Sequence, residues 1–145
     1  MSGPAELVIR LARAEERFAL EEIQRRASLA LPKYREDLEA HPDAIQLPQE
    51  QIDRGDVFVA ELAGRPVGFA ALDGAELDGL FVEPDLWKRG IGRQLVDAAT
   101  HEARRRGLSL RVLGNPTARK FYERCGFVAE GIEQTRFGPG LRMSR

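Results

Sequence analysis

Two glycines one residue apart, Gly90 and Gly92, interrupt the stretch PDLWKRGIGRQLV (residues 84–96) just where a helix pattern begins. Glycine is a poor helix former, so a pair at a helix start marks a place where the backbone must be bare or take a conformation closed to other residues. Ahead of the pair, AELDGLFVEP (75–84) reads as a strand. Behind it, Ile91, Leu95, Ala98, Ala99 and Ala103 mark the apolar side of a helix over 91–106. Strand, basic glycine turn and helix together form a setting in which free main-chain N–H groups at a helix N-terminus grip an anion. Lys88, Arg89 and Arg93 add positive charge at its edge. Two other phosphate devices do not fit. A dinucleotide fingerprint needs a third small residue where Leu95 stands, and a P-loop needs a Gly-Lys-Ser/Thr triplet that this stretch lacks.

The rest of the chain supplies elements on either side of this turn. ELVIRLA (6–12) reads as a first strand, and Phe18, Leu20, Ile23, Ala27 and Leu31 give helical spacing over 14–31. Pro32 interrupts, KYREDLEAH (33–41) forms a second short helix before Pro42, the stretch 42–50 is loop, and 49–54 adds a turn. DVFVAEL and RPVGFAALDG are strands joined as a hairpin through Ala63-Gly64. The following strand, 75–84, breaks strict alternation at Leu77, Phe81 and Val82 and carries Gly79 in its middle, which points to a bulge or to something passing close to the backbone. LSLRVL (108–113) is a fifth strand. PTARKFYERC (116–125) is a second long helix with Pro116 at a permitted first position and Gly126 as its cap. FVAEG and LRMSR close the chain as strands around the turn FGPG. With no repeat, linker or low-complexity segment, the expectation is one mixed α/β domain over 1–145.

Composition narrows the function classes. No apolar run approaches the roughly 20 residues of a membrane span, and the N-terminus lacks a charged-then-apolar leader, so a cytoplasmic protein without a membrane partner is expected. Cys125 is the one cysteine and His41 and His101 stand well apart, which argues against a disulfide or a metal cluster. Net charge is −1 with 22 basic and 23 acidic residues interspersed, and the one dense patch, Arg104–Arg106 before Gly107, is ordinary helix C-terminal chemistry. No nucleic-acid partner is expected. Arg25, Arg26, Lys33 and Arg35 against Glu36, Asp37, Glu39 and Asp43 are too mixed to favour an acidic or a basic ligand.

The order of strand, proline, basic Gly-x-Gly, helix and strand, followed by NPTARKFYERCGF (115–127), resembles the GCN5-related N-acetyltransferase (GNAT) superfamily. The family's glycine motif, Gln/Arg-x-x-Gly-x-Gly/Ala, is matched except that Trp87 takes the first position. Its second signature, Asn followed seven residues later by Tyr and then Gly-Phe, is matched by Asn115, Tyr122 and Gly126-Phe127. The resemblance implies a mixed, strongly bent sheet with helices on both faces, with acetyl-CoA as co-substrate in a central cleft and no metal. It implies that the strand at 76–82 parts from its parallel neighbour at 108–113 to admit the pantetheine arm. The backbone of Leu80, Phe81 and Val82 would meet the acetyl and pantetheine end, the backbone of Lys88, Arg89, Gly90, Ile91, Gly92 and Arg93 would cradle the pyrophosphate, and Asn115 would hydrogen-bond the arm.

The implied reaction is acetyl transfer to a primary amine by direct attack in a ternary complex; the alternative is a non-catalytic CoA-binding regulatory module. A lysine amine, with a pKa of about 10.4, is almost wholly protonated near pH 7, so a base matters for it. Tyr122 holds the family's general-acid position. Glu76, six residues before Val82, matches the strand glutamate used as base in one branch, with Asp78, Glu83 and a water chain without a dedicated base as rivals. Leu110 stands where some relatives place an acid on the next strand. The small-molecule or peptide amine acceptor would be bound by residues 13–40, loop 41–55 and the QTRFGPG turn. Homodimers are common in the superfamily, though no sequence patch marks one here. Cys125 reads as a buried filler, His101 as a solvated side chain, and His41 carries no assignment.

Overall fold

The computed structural model describes residues 6–145; residues 1–5 of the expected leaderless N-terminus and the side chain of Lys33 lie outside the described residues. The described chain forms seven strands: β1 (Leu7–Leu11), β2 (Val57–Leu62), β3 (Arg65–Asp73), β4 (Glu76–Val82), β5 (Arg111–Gly114), β6 (Val128–Thr135) and β7 (Gly138–Ser144). They make one open sheet in the order β1-β2-β3-β4-β5-β7-β6. Neighbours run antiparallel except β4 and β5, which run parallel. The helices are α1 (Arg17–Leu29), α2 (Pro32–Ala40), α3 (Gln49–Asp53), α4 (Ile91–Arg105) and α5 (Arg119–Arg124).

Two separate cores show that helices cover both faces. On one face Leu20 and Ile23 of α1 and Ile52 of α3 pack on Val57, Val59, Phe69 and Ala71. On the other, Ile91, Leu95, Val96, Ala99 and Ala103 of α4 pack on Ala60, Val67, Ala70 and Leu72. Residues 67–72 are buried without a break because β3 lies under helices on both sides; Phe69 and Ala71 feed one core and Ala70 and Leu72 the other, while Val67, left unpaired by the register shift against β2, joins the latter.

Several local expectations change. Phe18 is 72% exposed, because Leu20, Ile23 and Ala27 set the buried stripe of α1 and a residue two positions ahead of Leu20 points to the opposite side of the helix. Pro32 does stand at the interruption between α1 and α2, and α2 begins one residue earlier than expected, with Pro32 as its first residue. The buried side of α4 includes Val96 and Thr100, with Ala98 only half-buried. The expected long helix over 116–125 is a 3-10 turn at Pro116–Ala118 followed by the six residues of α5. β5 is confined to 111–114, and the last hairpin turns at Arg136-Phe137, so that Pro139 lies within β7, beyond the end of its pairing with β5.

Candidate active site

The site grows from a defect in β4. Leu77 pairs with Leu72 and Gly79 with Ala71, which leaves Asp78 unpaired as a bulge. On its other side β4 pairs with β5 only at Glu76↔Arg111 and Leu77↔Val112. Beyond the bulge the two strands separate, as the resemblance implies. The Glu83 N–H donates to the Val67 carbonyl of β3 at 2.8 Å. By strand alternation the main chain of Phe81 and Gly79 faces β3 as well, and that of Leu80 and Val82 faces the gap. Of the three backbone positions expected to meet the acyl arm, Leu80 and Val82 therefore face the gap, while Phe81 turns its main chain the other way. The Val82 carbonyl accepts the Trp87 indole N–H at 2.8 Å, so the residue that departs from the family motif ties the glycine turn to the end of β4.

The turn itself is a cradle of unbonded backbone N–H groups. Lys88 (φ 65°) and Gly90 (φ 82°) both lie in the left-handed region, with Arg89 between them, an arrangement that turns successive N–H groups toward one side. Among the described residues no protein acceptor engages the N–H groups of residues 88–93; the first bonded amide is that of Gln94, on the Gly90 carbonyl at 3.1 Å. The positive end of the 15-residue α4 adds to them. The two glycines serve different needs. Gly90 supplies the left-handed conformation, whereas a Cβ on Gly92 would stand 3.2 Å from the Phe121 ring, so Gly92 lets α5 pack against the cradle. Lys88 and Arg93 line the cleft, joined by Arg124 of α5; Arg89 is exposed and does not line it.

Between β4 and β5 runs a cleft of about 1080 Å³. Tyr122 forms part of its wall, its ring edge-on to Phe121 (5.1 Å) and Phe127 (5.3 Å) and seated so closely on Gly114 that a Cβ there would meet it at 3.1 Å. Burial pushes its phenol well above the ordinary tyrosine range, so it stays protonated at neutral pH. Asn115 caps the 3-10 turn: its Oδ1 accepts from the Thr117 N–H (2.9 Å) and hydroxyl (2.8 Å). Its amide faces the Tyr34 phenol of α2, whose pKa burial raises while the hydrogen bond from Asn115 opposes the rise; the second amide N–H is left to donate.

The acidic candidates are separated by the structure. Glu76 is ion-paired with Arg142 of β7 and does not line the cleft. Glu83 pairs with Arg26 at 2.7 Å and does not line it either. Asp78 does line it; the residue as a whole is exposed, but partial desolvation of its carboxyl raises the pKa while a hydrogen bond from Gln51 opposes the rise. Cys125 is buried with its thiol pushed up by desolvation, as suits a packing residue; His101 is exposed.

All three segments expected to meet the acceptor reach the cleft: Tyr34 and Leu38 from α2, Ile45 from the loop, and Thr135 and Phe137 from the last hairpin. The hairpin tip docks on the loop, with the Arg136–Asp43 pair at 3.1 Å and the Phe137 ring 5.6 Å from that of His41. Tyr34 and Arg124 escaped the sequence reading. Tyr34 had one signal, its spacing four residues before Leu38 in an otherwise polar helix; Arg124 had none.

An open mixed sheet that parts at its parallel strands, beside a glycine-built cradle, defines the acyl-CoA N-acyltransferase fold. The chain's family follows from comparison with known proteins. A model described as the acetyltransferase (GNAT) family matches residues 18–127, and the chain belongs to that family. Among curated relatives, it is 42% identical over 67 residues to the peptidyl-lysine N-acetyltransferase YjaB of Salmonella typhimurium, covering 46% of this chain and 45% of that protein. It is 38% identical over 95 residues to the uncharacterized N-acetyltransferase MJ1207 of Methanocaldococcus jannaschii, covering 55% of this chain and 42% of that one. The chain thus spans about half the length of the curated relatives it matches. The solution structure of apo YjaB from Escherichia coli superposes with a TM-score of 0.72 at 29% identity, over 96% of this chain and 97% of that one. PaiA N-acetyltransferase from Thermoplasma acidophilum, solved in complex with coenzyme A, shares the fold with a TM-score of 0.73 at 21% identity, over 97% and 98% of the two chains.

Proposed function

We propose that the protein transfers an acetyl group from acetyl-CoA to a primary amine, by direct attack within a ternary complex. One observation carries this reading: the unpaired N–H groups of residues 88–93 and the β4–β5 gap adjoin in one cleft. The first suits a pyrophosphate, and the second suits an extended arm that hydrogen-bonds as a strand does. These residues therefore fit the co-substrate, whose contribution is a thioester carbonyl open to attack. Lys88 and Arg93 add charge at the cradle, the main chain of Leu80 and Val82 with the Asn115 amide holds the arm, and Tyr122 donates a proton to the departing sulfur. The cleft's apolar and aromatic wall excludes water from the reacting atoms. A lysine side chain of a peptide is the acceptor we favour, on the strength of the likeness to peptidyl-lysine N-acetyltransferases.

The test is release of free thiol from acetyl-CoA against a panel of small amines, peptides with free N-termini, and lysine peptides blocked at the α-amine. Amine-dependent release with a matching mass gain of one acetyl group is the expected result. Coenzyme A binding with no release across the panel would overturn it in favour of the non-catalytic CoA-binding module.

A further inference from the structure

We infer that Asp78, and not Glu76, takes the proton given up by the acceptor amine, and that Glu76 is a positioning residue for the strand separation. The inference rests on the acetyltransferase reading above.

The β4 bulge carries the argument. Two acids two residues apart on a regular strand share a face and an environment, but the unpaired position of Asp78 breaks that alternation. Glu76 sits in the last paired stretch before β4 and β5 part, and its carboxylate is held by Arg142. Arg142 is only 13% exposed and also binds Glu133 at 3.1 Å. It thereby links β4, β6 and β7 across β5, at the closed end of the gap. A proton on Glu76 would strip this sheltered guanidinium of one of its two counter-charges, which makes Glu76 a strut and a poor proton acceptor.

Asp78 differs in every respect. It has no ion pair among the described residues. It lines the main cleft and also a side hollow of about 210 Å³, walled by Pro48, Glu50, Gln51, Arg54 and Asp73. Asp78 therefore borders both spaces, the cleft that the amine would enter and a polar hollow beside it. The Gln51 amide, anchored on the Leu72 carbonyl at 2.6 Å, also hydrogen-bonds it. The charged and titratable groups around it are Asp73 of β3, Glu76 of β4, Glu50 of α3 and Arg54 just after it, and Tyr34 and Asp37 of α2 across the cleft. Arg54 is itself engaged by Asp56 at 3.0 Å, so acids dominate this neighbourhood, and they favour a carboxyl that gains a proton.

The step balances. Asp78 takes the first proton from the acceptor ammonium and passes it outward through the hollow. The neutral amine then attacks the acetyl carbonyl, a C–N bond forms and the C–S bond breaks; the sulfur takes a proton from Tyr122, and the second proton leaving nitrogen passes to solvent, which refills Tyr122.

The experiment compares kcat/KM across pH for the unaltered protein, Asp78→Asn and Glu76→Gln, with whichever panel amine turns over fastest. Asp78→Asn should lose roughly a hundredfold near pH 7. The deficit should shrink below about tenfold above the amine's own pKa, where the acceptor arrives already neutral. Its coenzyme A affinity, read by calorimetry, should stay within about twofold, because the cradle is untouched. Glu76→Gln should keep the shape of the pH profile and instead weaken coenzyme A binding. A loss in Asp78→Asn that is equal at every pH, no loss at all, or a pH-selective loss in Glu76→Gln would overturn the assignment while leaving the acetyltransferase reading intact. Failure of the unaltered protein to acetylate any amine overturns that reading and this assignment with it.

Discussion

The two ends of the cleft are built from different materials. At the cradle the binding groups are main-chain amides of six consecutive residues, fixed by two left-handed residues and a helix start. At the acceptor end they are side chains from α2, the loop after it and the last hairpin, separated by about a hundred positions in the chain. A backbone site depends on local conformation and tolerates changes of side chain, as Trp87 illustrates; a side-chain site depends on tertiary placement and can be rewritten one residue at a time. On the proposed function, the first end would hold the co-substrate and the second would select the acceptor.

The sharpest way to break this contrast is Gly90→Val. A β-branched residue at φ 82° costs about 2 kcal/mol or more of strain, and because that strain falls on the cradle, coenzyme A affinity should drop by about thirtyfold. Calorimetric titration reads it; unchanged affinity would mean that the amides do not form the site. Tyr122→Phe tests the junction of the two ends: turnover should fall by about tenfold or more while coenzyme A affinity changes by less than about twofold, as separated by single-turnover rates and binding. Phe137→Ala, at the acceptor end, should raise the KM for the amine by about fivefold, equivalent to about 1 kcal/mol, and leave that for acetyl-CoA alone. An effect of similar size belongs to Trp87→Phe, at the opposite end. Losing the indole hydrogen bond to Val82 removes about 0.5–1.5 kcal/mol of support, and coenzyme A binding should weaken by no more than about tenfold with the amine KM unmoved. An effect on the amine instead would erase the division between the ends.

That division also explains what could be read from sequence. Gly90, Gly92 and the helix after them follow from conformational demand, which is local and leaves a mark in residue type. Gly79 and the broken alternation of β4 likewise announced a bulge, although the exact unpaired residue, Asp78, needed the register with β3. Glu76 shows the limit. Its spacing from Val82 matched a base, but its ion pair is made by Arg142, 66 positions away, and no local pattern encodes that. Phe18 failed for a different reason: an apolar residue was counted into a stripe whose phase excluded it. The long helix over 116–125 shortened because Asn115 and Pro116 close a 3-10 turn first, a turn that also seats Tyr122 and Asn115 at the cleft.

The short pairing between β4 and β5 has a mechanical consequence. Two residue pairs are the only ladder contacts joining the halves of the sheet at that seam among the described residues, so a guest that bonds along both strands acts as a keystone as well as a reactant. Occupancy at a hundred times the dissociation constant adds about 2.7 kcal/mol to stability. On the proposed function, the rigidity of the molecule would thereby be coupled to the supply of its acyl donor.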